Sequence, residues 1–183
     1  MKNLLLSLFC FVMQLALAGC LTSIDAGAQE LSISTNVADY ASSGAANIEA
    51  SYGFARHWTL TSAVRYDPLG SDRQRSLSLG GRYWPWHIYS GWWLSGKMQY
   101  QEFRSAVSAD GPASEGDRYG AGLAGGYARM LSKHLNVDLG IGLWGGYVTY
   151  TTYACPVCGR ITGSGGRGFV LPNDIILALS YIF

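Results

Sequence analysis

From Leu31 onward, apolar and polar side chains alternate with a period of two along nearly the whole chain, and no window sustains a capped pattern of period 3.6. Successive side chains of a strand point to opposite faces, so the pattern predicts an all-β chain of eight strands. The first, at about 31–37, gathers Leu31, Ile33 and Val37 on one face, and the second, at about 46–54, gathers Ile48, Ala50, Tyr52 and Phe54. The third, at about 58–66, aligns Trp58, Leu60, Val64 and Tyr66; the fourth, at about 75–83, aligns Leu77, Leu79 and Tyr83. The fifth and sixth, at about 92–102 and 119–129, carry Trp92, Leu94, Met98 and Tyr100, then Tyr119, Ala121, Leu123 and Tyr127. In the seventh, at about 135–149, Leu135, Val137, Leu139, Ile141 and Leu143 alternate with Asn136, Asp138 and glycines. The eighth runs from about 174 to the end.

Several of these segments approach the roughly 9–11 residues that a tilted strand needs to cross a bilayer. The connections after the second, fourth and sixth strands are short, whereas those after the fifth and seventh, across 103–118 and 150–173, are the longest. Short turns at one end and longer loops at the other are the pattern of an up-and-down outer-membrane barrel, with the short side and both termini in the periplasm.

A soluble barrel buries its apolar face, whereas a membrane barrel turns that face to lipid and fills its interior with polar or small residues. The aromatics favour the second arrangement. Trp58, Tyr83, Trp92 and Phe183 fall near one end of their strands, and Tyr66, Tyr100, Tyr119 and Tyr147 near the other. Two aromatic levels match two membrane interfaces, where a ring with one apolar and one wet side is favoured. The opposite face carries Glu49, Arg65, Arg82, Lys97 and Asp138 among Gly, Ser, Thr and Gln. Eight strands leave an interior that side chains just fill. These charges are therefore expected to pair as a structural plug, a lone buried charge being costly. On this orientation Leu139→Arg would cost about 2–4 kcal/mol if Leu139 lies near the bilayer midplane.

The ends carry targeting signals. Lys2 precedes an apolar run from Leu4 to Ala18, too short for a comfortable membrane span, as in a secretory signal peptide. Ala26-Gly27-Ala28 offers cleavage before Gln29, and Leu17-Ala18-Gly19-Cys20 offers a lipobox alternative. The first divides the chain into a signal peptide at 1–28 and a barrel at 29–183. No later segment has the ~20 apolar residues of a membrane helix. At the other end Leu177, Leu179, Tyr181 and Phe183 share one face of the last strand, resembling the C-terminal signal by which outer-membrane barrels are recognised by the barrel assembly machinery. A buried last strand of a soluble sandwich is the alternative.

Charge and composition narrow the functions. Thirteen Lys and Arg against 12 Asp and Glu give a net charge of +1 and no footprint for nucleic acid. The 12 Tyr, 6 Trp and 6 Phe exclude a disordered chain.

Candidate chemistry is sparse. His57, His87 and His134 fall in or beside the short turns, where solvated side chains are expected, whereas a lipid-modifying barrel enzyme needs a His beside a Ser or carboxylate on the outer side. Cys155-Pro156-Val157-Cys158-Gly159 has the spacing of half a zinc knuckle without the other half. It lacks the βα context of a thioredoxin motif and the His of a haem attachment site. A short-range disulfide between Cys155 and Cys158 is the expected state, with metal binding between chains and redox activity as alternatives. The glycines of 162–168 lack the Lys-Ser/Thr ending of a phosphate loop, and this stretch is expected, with 110–117, to form loops.

Ser34-Thr35-Asn36, Ile48-Glu49-Ala50-Ser51-Tyr52-Gly53, Arg82-Tyr83-Trp84-Pro85-Trp86-His87, Gly116-Asp117-Arg118-Tyr119-Gly120, Cys155 to Arg160 and Asp174 to Phe183 resemble a family of Bacteroides-type outer-membrane proteins classed as a domain of unknown function. The resemblance implies an eight-stranded barrel similar to the OmpA transmembrane domain, in some cases encoded near fimbrial genes, with no cofactor and no established activity. The expected function is non-enzymatic. The barrel sits in outer-membrane lipid, and its outward loops, 105–118 and 151–173, contact a surface protein such as a fimbrial subunit, or a polysaccharide. A lipid-modifying barrel enzyme and a soluble secreted barrel that binds an apolar ligand are the alternatives.

Overall fold

The computed structural model describes residues 31–67, 72–106, 111–155 and 159–183. Eight antiparallel strands close into one barrel in sequence order: β1 (Leu31–Asn36), β2 (Ala46–Ala55), β3 (Trp58–Asp67), β4 (Asp72–Tyr83), β5 (Gly91–Ala106), β6 (Ala113–Met130), β7 (Leu135–Tyr153) and β8 (Ile161–Ile182). Closure comes from β1 pairing with the end of β8, Ser32 opposite Ile182 and Asn36 opposite Ala178. No strand inside the closed wall is left with an unpaired edge, which is what permits so Gly-rich a sheet to hold its register.

The first strand is shorter than the alternation predicts and is followed by an unpredicted element, the helix α1 (Val37–Ser43). Asn36 explains both. Its side chain accepts from Ala38 N at 3.2 Å as the helix N-cap, and Gly44 ends the helix in the left-handed conformation with its N–H on the Tyr40 carbonyl. Two caps support a helix too short for a readable 3.6 period.

The strands lengthen along the chain, from 6 residues in β1 and 10 in β2 to 18 in β6, 19 in β7 and 22 in β8. Much of what the sequence predicts as loop is therefore strand. Residues 113–118 pair with both β5 and β7, and the Gly-rich 162–168 stretch pairs with β7. Glycines weaken a strand read alone, but the β7 partner supplies the hydrogen bonds. A bulge at Asn173, between the pairs Gly142–Asp174 and Leu143–Pro172, lets β8 continue past Pro172.

The two faces of the wall differ as the alternation requires. Large apolar residues point outward, with Ile141 74%, Met98 73% and Leu123 68% exposed. The interior holds Ser32, Ser34, Ser51, Thr59, Thr61, Arg82, Asn136, Asp138 and Ser180, all buried.

Candidate functional site

The lower end of the barrel, toward the β2–β3, β4–β5 and β6–β7 turns, is closed by aromatic side chains. The β4–β5 turn folds into the lumen and buries Trp84 and Tyr89 against Trp93, Ala124, Ala128 and Ile182. Trp84 donates from Nε1 to Thr59 Oγ1 at 3.1 Å, and the Tyr89 hydroxyl donates to the Ser51 carbonyl at 3.2 Å. Tyr89 adopts φ +63°, and the Asn136 amide donates to its carbonyl at 2.8 Å. A non-glycine residue held there costs about 1–2 kcal/mol, which these contacts offset. Trp93 needs room of another kind: a Cβ on Gly126 or Gly140 would come within 2.6 or 2.7 Å of its ring. These two lumen glycines are the mould for one indole.

Above this plug lies the ionic layer. Arg82 donates to Glu49 Oε1 and Asp138 Oδ2, each at 3.0 Å, while its guanidinium lies 4.3 Å from the Trp93 ring centroid. Arg65 pairs at 3.2 Å with Asp39, which α1 carries over the lumen and which also accepts from Asn47. Lys97 lies in register between Gly80 and Gly122 and, with Glu49, Arg65 and Arg82, lines a polar cavity of about 90 Å³. The structure thus brings Glu49, Arg82 and Asp138 into contact. Trp84, Tyr89 and Asp39 are partners that alternation alone does not reveal, since a turn and a seven-residue helix are too short to show a period.

The exterior aromatics group into contacts at two levels. Trp58 packs on Tyr83 at 5.0 Å and Trp92 on Tyr127 at 5.4 Å near the lower rim, where Tyr181 also packs on Phe183 at 5.0 Å. Toward the other end Tyr119 meets Tyr147 at 6.1 Å, Tyr100 donates to Asp117 at 2.8 Å, and Arg75 lies over Tyr66. Leu177 and Leu179 are exposed on the outer face of β8 between these levels. The histidines lie at the turns, as expected: half-buried His57 and exposed His134 each donate from Nδ1 to a backbone carbonyl, of Trp84 and Ile182, at 2.8 Å, and the His87 side chain is exposed. His87 forms a bridge with Ser90 inside the inserted turn.

Beyond the upper aromatics β5 to β8 continue as an open-sided wall, because β1 and the helix α1 stop short of them. Its concave face collects Phe103, Arg118, Val148, Tyr150, Arg167 and Phe169 around a space of about 450 Å³. The Arg118 guanidinium stacks over Phe103 at 4.4 Å, and Phe169 packs edge-on against the buried Trp144. On the convex face Tyr153 donates to Glu115 at 2.7 Å, which raises the phenol's pKa, and Arg104 approaches the same carboxylate at 4.0 Å. This wall is the candidate interaction site. Cys155 lies just above β7; Cys158 and residues 1–28, expected from the sequence to be a signal peptide, lie outside the described residues.

No curated protein and no solved structure matches the chain. One family does, described as protein of unknown function (DUF3575), over residues 11–183. That span takes in every strand of the barrel, and the chain belongs to the DUF3575 family.

Proposed function

We propose that this protein is an outer-membrane barrel with a filled lumen, working non-enzymatically as a wall component whose outward β5–β8 extension contacts a surface partner. The reading is carried by the belt of exposed apolar side chains between the two aromatic levels. Trp58 and Tyr66, Trp92 and Tyr100, and Tyr127 and Tyr119 are each eight residues apart on one strand. At about 3.4 Å per residue this is about 27 Å of strand, or about 21 Å of height at a 40° tilt, close to the ~25 Å apolar band of such barrels. A water-facing surface of this apolar content would be an aggregation hazard; facing lipid it is matched to its solvent.

The rest of the reading follows from this orientation. The signal at 1–28 directs export, both termini lie in the periplasm, and Leu177, Leu179, Tyr181 and Phe183 form the assembly signal. Cys155 and Cys158, exported to an oxidising compartment, pair to pin the loop between β7 and β8. The three histidines all lie toward the lower rim, away from the outer leaflet where a lipid-modifying enzyme needs its base. A surface contact, to a fimbrial subunit or a polysaccharide, suits the extension. Cell fractionation with heat-modifiable gel migration tests the proposal. Recovery with outer membranes and a band that shifts on boiling are expected; recovery only in the soluble fraction would overturn it.

A further inference from the structure

Among the described residues, the longest stretch of strand with a partner on one side alone lies on β8. Below the bulge the outer edge of β8 is covered by β1, up to the pair Asn36–Ala178. One side chain extends that cover: Asn36 accepts from Leu177 N at 2.9 Å and donates to the Ile175 carbonyl at 3.0 Å, imitating a strand. Above this, among the described residues, 161–170 has a strand partner in β7 only. Ten residues are about 33 Å of open edge.

The groups on that edge can be assigned. Ile175 and Leu177, which face outward, direct their backbone groups to the β1 side. In a strand, side-chain face and hydrogen-bonding side alternate together, and the bulge at Asn173 shifts the alternation by one. The residues that present N–H and C=O to the open side are therefore Ser164, Gly166, Gly168 and Val170, while Gly165, Arg167 and Phe169 bond to β7. Edges left to water are blunted in most proteins by Lys, Pro or a bulge. Here Pro172 and the bulge stand at the foot of the open stretch, and its edge-facing residues are small: two glycines and a serine above Val170.

We infer that this edge binds an extended peptide segment of a partner protein by strand addition, with an acidic side chain opposite Arg167 and an apolar one opposite Phe169. The inference rests on the reading of the β5–β8 extension as the surface-exposed end. A row of alternating donors and acceptors at strand spacing is matched by another polypeptide backbone. The inner face beside the edge sets the preference. Arg167 is exposed there, so a strand added beside β8 meets its guanidinium directly, whereas Arg118, two strands further in, leans the other way over Phe103. Phe169, one inward position below, offers an aromatic face to a β-branched side chain. A second copy of this chain is disfavoured by charge, since two barrels inserted alike in one membrane would set Arg167 at the level of its own counterpart.

Amide hydrogen exchange read by NMR on the full chain in lipid nanodiscs tests this, using acetyl-Thr-Val-Thr-Glu-Thr-Val-Thr-amide as the probe at about 1 mM, the affinity range of an untethered short strand. Exchange should slow at least about tenfold at Gly166 and Gly168 while Gly165 and Arg167, already paired with β7, stay unchanged. A peptide with Lys for Glu should protect several-fold less, and Arg167→Glu should reverse the order of the two. Gly168→Pro, checked for an intact barrel by its heat-modifiable band, should abolish protection. Absence of protection, or protection without the two-residue alternation, overturns the proposal. Protection of the same amides without peptide that is lost on dilution assigns the edge to a second copy and overturns it too. Failure of the membrane reading is distinct: the chain would then be recovered in the soluble fraction, whatever the peptide does.

Discussion

Removing the Arg82 guanidinium would leave the carboxylates of Glu49 and Asp138 deprived of the cation that joins them in a buried layer. Breaking a buried pair by deleting one partner costs about 3–5 kcal/mol, far more than an exposed pair. Arg82→Leu is therefore expected to lower stability by that amount in urea unfolding from lipid vesicles, whereas Arg104→Leu, whose partner Glu115 is 4.0 Å away and half exposed, should change it by less than about 1 kcal/mol. Equal effects would remove Arg82 from the centre of the interior. The five charges of the inner face were legible as a set from their phase in the alternation. Which would touch was not, because Glu49, Arg82 and Asp138 are brought together from β2, β4 and β7 by closure of the barrel.

At the scale of elements, the short helix and β8 depend on the same residue. Asn36 caps α1 and also covers the last backbone groups of β8 that β1 does not reach. Asn36→Ala should cost about 1–2 kcal/mol as a lost cap and, distinctively, should speed amide exchange at Leu177; an unchanged Leu177 amide would separate the two roles. The apolar belt makes a prediction that varies with depth. Leu139 is the register partner of Tyr127, beside the lower aromatics, whereas Leu123 stands midway between Tyr119 and Tyr127 on β6. If the belt faces lipid, Leu123→Arg costs about 2–4 kcal/mol and Leu139→Arg less, toward the 0–1 kcal/mol of an interface position. Reversal of that order in vesicle refolding would displace the proposed membrane level.

For the molecule as a whole, Trp84, Tyr89 and Trp93 at the lower end and the Arg82 layer above them close the lumen. An eight-stranded barrel is just wide enough for such filling. Planar bilayers should accordingly show no steady conductance with the native protein, and ion flow should need both closures to be opened, Trp84→Ala and Trp93→Ala together with Arg82→Ala. Native conductance would require a route past the plug and would contradict the filled interior. The proposed contact with a surface partner accordingly uses the outside of the barrel, where β5 to β8 extend beyond β1 and α1.

The alternation by itself determined the fold class, the number and order of strands and the face of nearly every strand residue, because the period of two is imposed locally by each strand's pleat. It also placed the aromatics at two levels, since each pair lies within a single strand. Tertiary structure alone decided how far the strands run. Residues 113–118 and 162–168 look like loop in isolation and become strand because β7 lies beside them and pairs with their backbones. It decided too that the β4–β5 turn enters the lumen, that Asp39 reaches Arg65, and that β8 keeps an open edge. Each of these depends on which segments lie side by side once the sheet has closed, and that information is not held in any single stretch of the chain.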